Sequence, residues 1–219
     1  MGTATRTSRI IGTLILAQMA GSALVYGVLT APLFGAPDFL ATAAAHSQQI
    51  GLSVLLGLVT GALFVAIAIT AFPIFCQYSQ ALAFWFMALA VVALAVTAVE
   101  HAGMMSMVSL SEAYARAGPA ERDQLRALRV VVTSARNWTH YLGRIADGSA
   151  LLVLYAVLYR FALVPRALAA FGLLAVMLQL TTLAGPLFGR PVVVPMLAPL
   201  GVSQLALALW LIIKGFRTA

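Results

Sequence analysis

Charge is what this sequence has least of. Thirteen Lys and Arg and six Asp and Glu make up 9% of 219 residues, where a soluble domain carries roughly a quarter. With 63% hydrophobic residues and a mean hydropathy of +1.01, the chain has too little polar surface to cover a water-exposed core. Cysteine is nearly absent too, and the single Cys76 excludes an internal disulfide. No phosphate loop, nucleophile elbow or dinucleotide fingerprint occurs, which removes the enzyme classes that carry such motifs. The formal charge of +7 would suit nucleic acid, but the Arg residues stand at the ends of long apolar runs and not on one patch. They are topology signals and headgroup anchors, so the implied partner is the lipid bilayer and not nucleic acid.

The sequence is rich in apolar runs. A membrane helix needs about 20 mostly apolar residues to cross a core about 30 Å thick. Six segments qualify: Ile10 to Phe34, Ile50 to Phe72, Ala81 to Met107, Trp138 to Arg160, Ala167 to Phe188, and Val192 to Ile213. The first follows Arg6 and Arg9 as a secretory signal would, but it outruns the roughly 7 to 15 residues of a signal core, so it is expected to be a retained span. The expected fold is all-α, an integral membrane six-helix bundle forming one transmembrane domain over 1–219. Gly35-Ala36-Pro37-Asp38 and Gly189-Arg190-Pro191 are expected turns.

The longest polar stretch, Ser109 to Arg136, has helix signals. Gly118-Pro119 opens an element, Glu121 and Asp123 sit in its first turns, and Arg126, Arg129 and Arg136 follow. Leu125, Leu128 and Val132 share one face and Arg122, Arg126 and Arg129 another. That pattern predicts an interfacial amphipathic helix between spans 3 and 4, running on toward the fourth span.

From Tyr159 onward the sequence has a distinctive texture: Tyr159-Arg160, then Leu163-Val164-Pro165-Arg166, a long apolar span, and Ala208-Leu209-Trp210-Leu211-Ile212-Ile213-Lys214-Gly215-Phe216. This resembles the domain-of-unknown-function family numbered 4386, and Arg9-Ile10-Ile11-Gly12 resembles that family's opening. The resemblance implies a small multi-pass bacterial membrane protein with no established activity. Gln204 stands where members often carry an acid six positions before the Trp of the last span, so no role is carried over there.

Ionisable residues inside spans are the main functional signal, because each costs about 2.5–3.5 kcal/mol at a helix centre unless it finds a partner or a purpose. They fall in two places: Glu100 and His101 on the third span, and Asn137, His140, Arg144 and Asp147 on the fourth, where steps of three and four put them on one face. His46, before the second span, belongs to the same side, so the three histidines are expected to converge. One reading is a structural network in which Arg144 pairs with Glu100 or Asp147 and a charged His101 or His140 balances the second acid. The other is a ligand site, with His101, His140 and His46 as ligands to a metal, or two histidines holding a haem. Glu100 and His101 are adjacent and point about 100° apart, which disfavours a shared ligand sphere. Gln18, Ser22 and Tyr26 on the first span, and Gln179, suit hydrogen bonds between helices. Gly57 and Gly61 suit close approach.

Three function classes follow. The favoured one is a non-enzymatic accessory or small-ligand-binding membrane component, with a membrane-protein partner or a second copy of itself. The others are an intramembrane metal- or haem-dependent enzyme acting on a lipid or other hydrophobic substrate, and a proton-linked transporter. The last lacks an evident inverted repeat. Arg6 and Arg9 before the first span, and Arg160, Arg166, Lys214 and Arg217 with no acid beside them, place both termini on the cytoplasmic side of the inner membrane. Reporter fusions at the two ends should both give cytoplasmic signals, and opposite-side signals would remove the even number of spans.

Overall fold

The computed structural model describes residues 3–34 and 38–217. The chain is an all-α protein, with six helices long and apolar enough to cross a membrane. The first span is α1 (Thr3–Leu24) plus the wider turn Val25–Leu29, followed by the short α2 (Ala31–Phe34). Gly35, Ala36 and Pro37 of the expected turn lie outside the described residues. Asp38 is the N-cap of α3 (Phe39–Thr42), its carboxylate accepting from Leu40 N. The remaining helices are α4 (Ser47–Cys76), α5 (Gln80–Arg116), α6 (Pro119–Arg160), α7 (Arg166–Ala184) and α8 (Ala198–Ile213).

The amphipathic stretch is helical and, as expected, continues directly into the fourth span. It forms the first half of α6, whose 42 residues run unbroken into the fourth span. At about 1.5 Å per residue α6 is about 63 Å long, twice the hydrocarbon thickness, so its charged start lies beyond the core. Leu125 and Val132 pack inward as their spacing predicts, whereas Leu128 is half exposed.

The chain divides into two compact units, and α1, α4, α5 and α6 contribute residues to both. The first comprises Met1–Gln18, Ala62–Leu94 and Arg144–Ala219. Its interior is built on fully buried Phe75, Phe86 and Tyr155, with the Phe75 and Phe86 rings 5.9 Å apart. Tyr155 keeps its hydroxyl satisfied against Ser203 Oγ at 3.1 Å, as a buried phenol must in a medium without water. Its ring lies flat against Gly172, where any Cβ would overlap it. Gln18 and Gln204 line a small void beside this ring.

The short connections follow local chemistry. After α6, Ala162 takes a left-handed conformation (φ 53°) and Leu163 N returns to Leu158 O, before Pro165 opens α7. Between α7 and α8, Gly189 adopts φ 71° and Arg190 N donates to Gly185 O, the expected tight turn.

The second unit comprises Met19–Gly61 and Ala95–Gly143. Leu33, Phe39, Leu40, Ile50, Met104, Met107 and Val108 form its core. Ser111 Oγ donates to Leu40 O and accepts from Ala44 N, tying α3 to α5.

Two substitutions test these constraints. Ala162→Gly should raise stability by about 1 kcal/mol, since only glycine meets that φ without a Cβ penalty. Gly172→Ala should lower it by about 1–3 kcal/mol through overpacking against Tyr155. Thermal unfolding in detergent measures both, and a neutral Gly172→Ala would show that the ring can shift.

Candidate functional site

The polar cluster of the second unit is centred on Glu100 of α5. Its side chain has zero exposure, and Oε1 accepts from Arg136 Nη2 at 2.6 Å and from His140 Nδ1 at 2.9 Å, both on α6. Arg136 is itself buried, with 7% side-chain exposure. Its Nη1 donates to Asn137 Oδ1 at 3.3 Å, and its guanidinium lies over the Phe34 ring, 4.0 Å from the centroid. The His140 ring meets Tyr26 edge-on at 5.8 Å. Three segments far apart in sequence therefore contribute: Tyr26 to Phe34, Glu100, and Arg136 to His140.

The register follows from the hairpin. The α5–α6 connection is only Ala117-Gly118, and Glu121 Oε2 accepts from Gly118 N there. Two antiparallel helices joined so tightly pair residues equidistant from the turn. Glu100 lies 16 residues before the end of α5, and Arg136 lies 17 after the start of α6. Arg136 is thus the guanidinium on Glu100, where Arg144 was the expected one. Arg144 lies two turns, about 12 Å, further along α6. Its partner, in the first unit, is Asp147, at 2.8 Å, the second of the two carboxylates expected for it. Gln179 Nε2 donates to the Arg144 carbonyl at 3.4 Å, a hydrogen bond between helices as its type suggested.

The charge arithmetic changes accordingly. With Arg136 added there are two guanidiniums for two carboxylates, and neutrality no longer calls for a charged histidine. His140 Nδ1 donates to Glu100 Oε1, which either a neutral or a charged ring can do.

His101 and His46 each bond a backbone carbonyl four residues back. His101 Nδ1 donates to Thr97 O at 2.7 Å, one helical turn back. The opposite edge of this buried ring is seated on Gly57 of α4, where a Cβ would collide with Nε2. His46 is exposed, with Nδ1 bonded to Thr42 O at 2.9 Å. Among the described residues no group of three or more His, Cys, Asp or Glu is placed to hold a metal ion. Chemically, the Glu100 group is a buried ion pair with a histidine donor.

Arg136 is the functional residue that sequence reasoning left out of the site. It follows the spacing of the polar stripe, since 136, 140 and 144 recur every four residues, but hydropathy starts the fourth span at Trp138 and so assigns Arg136 to the polar stretch.

With this geometry in place the wider relationship is informative. The family model for a domain of unknown function, DUF4386, matches residues 10–215. The chain belongs to this family. No curated protein and no solved structure matches it. Membership in a family of unknown function supplies no chemistry, so that of this member rests on its own side chains.

Truncating one partner of a buried pair typically costs about 3–5 kcal/mol, because the other charge is stranded. Arg136→Ala should therefore destabilise far more than Arg126→Ala, whose side chain is exposed. A double-mutant cycle of Glu100→Ala with Arg136→Ala should show coupling above about 1 kcal/mol. Additive losses would refute the pairing.

Proposed function

We propose that this multi-pass membrane protein is a non-enzymatic component of the bacterial cytoplasmic membrane, an accessory or small-ligand-binding protein whose buried polar cluster holds its helices in register. One observation carries the reading. The carboxylate of Glu100 is turned wholly inward, and its Oε1 is engaged by two donors of the neighbouring helix, Arg136 and His140. A carboxylate committed in this way holds α5 against α6, whereas a catalytic or transporting acid has to reach a substrate or a proton path. The Arg144–Asp147 pair, by contrast, lies within one helix and is partly exposed.

A structural pin can be replaced by apolar packing, and a reactive site cannot. The doubly substituted Glu100→Leu/Arg136→Met protein should regain most of the stability lost in either single variant, since buried ion pairs often exchange for apolar residues at little cost. Protein purified without chelator should carry no stoichiometric metal by elemental analysis and no Soret absorbance. A metal or haem that is lost on His140→Ala or Glu100→Gln would overturn the reading in favour of the intramembrane enzyme.

A further inference from the structure

The first unit has one end that gathers positive charge without a compensating acid. Phe216 N donates to Ser8 Oγ at 3.1 Å, and Arg217 N donates to Leu163 O at 2.7 Å. These bonds bring together the first turns of α1, the segment after α8 and the α6–α7 turn. Arg6, Arg9, Arg160, Arg166, Lys214 and Arg217 are carried on those three segments. The acid of this unit, Asp147, lies about 20 Å back along α6 from Arg160 and is engaged by Arg144.

At this end α1 carries an open groove of about 400 Å³, lined by Arg6, Arg9, Ile10, Thr13 and Leu14. These positions follow the three- and four-residue steps that define one helical face, with the cations in its first turns and the aliphatic side chains after them. Arg6, Arg9 and Ile10 are exposed. Arg9 Nε donates to Ile212 O at 3.2 Å, so the last turn of α8 holds this guanidinium at the mouth of the groove. The Thr13 hydroxyl is turned back onto Arg9 O at 2.9 Å. The groove therefore presents two guanidiniums above an aliphatic floor, on a helix that crosses the membrane.

We propose that this groove is a binding site for one anionic phospholipid, its phosphate at Arg6 and Arg9 and the upper part of one acyl chain along Ile10 and Leu14. Guanidinium donors match phosphate oxygens in geometry as well as charge. No Asp or Glu side chain stands on the surrounding segments to hold the ammonium of a zwitterionic headgroup, so charge selects the anionic class. The aliphatic floor selects a lipid over a free anion. The site lies in the first unit and is independent of the role given to Glu100.

Native mass spectrometry of the full-length protein, offered equal amounts of dioleoyl phosphatidylglycerol and dioleoyl phosphatidylcholine, counts the lipid retained. Phosphatidylglycerol should be retained preferentially. Loss of one or two charge-assisted contacts should weaken its retention by about tenfold or more in Arg6→Gln/Arg9→Gln. Because Arg9 also caps α8, Arg6→Gln alone is the second variant: it should lose retention with an unchanged helical circular dichroism spectrum, and Arg6→Lys should regain part of it. Equal retention of the two lipids would overturn the proposal, as would parental retention in both Gln variants. Displacement of the lipid by millimolar inorganic phosphate would reassign the groove to a free anion.

Discussion

A carboxylate buried in a membrane span must be met by donors, and in this protein that requirement binds α5 to α6. The Glu100 side chain has no exposure to solvent, and the cost of its charge is offset by Arg136 and His140, which reach the same oxygen. The rest of the second unit is arranged to keep those donors in place. Phe34 lies under the guanidinium, Tyr26 meets the imidazole edge-on, and Gly103 lets the Arg136 backbone approach to where a Cβ on the glycine would stand 3.3 Å from Arg136 Cβ. The arginines earlier on α6 are engaged as well: Arg126 donates to the Tyr114 hydroxyl and Arg129 reaches Asp38 over the Phe39 ring. The basic face of this amphipathic half-helix is thus held by protein aromatics and an acid.

Elsewhere the helices are held by shape. Lipid tails are as apolar as leucine, so burying leucine against another helix gains little in a bilayer, and close contact through small residues counts for more. Gly172 against the Tyr155 ring and Gly57 against the Nε2 edge of His101 illustrate this, each bringing a ring to where a Cβ on the glycine would collide. In both cases the ring's polar atom is directed to a neighbour, Ser203 for Tyr155 and the Thr97 carbonyl for His101. His101 packs against Gly57 of α4 with its Nδ1 bonded to Thr97 O, so its adjacency to Glu100 in sequence turns it toward a different helix.

The Glu100 group and the basic groove on α1 have different chemistry. One is an inward-facing ion pair with its acid fully buried. The other is outward-facing, basic and amphipathic. The first holds α5 to α6 within the second unit, and the second faces the surroundings of the first unit.

Much of this was legible from the amino acids alone. Six spans, an all-helical fold, the turn at Gly189 and the helix through Glu121 to Arg136 all depend on local properties: hydropathy over a window, turn chemistry, and three- and four-residue spacing. That Glu100, His140, Arg144 and Asp147 would need polar partners was equally local, because the cost of burying a charge belongs to the residue. Which partner each one takes was not. The choice of Arg136 over Arg144 for Glu100 depends on a two-residue hairpin and on α6 running straight through the boundary where hydropathy begins the span. The seat of His101 on Gly57 depends on how closely α4 approaches α5. Hydropathy and periodicity assign each residue to a span and a face, but they carry no information about the axial offset between two helices. Tertiary packing decides that offset, and with it the partners.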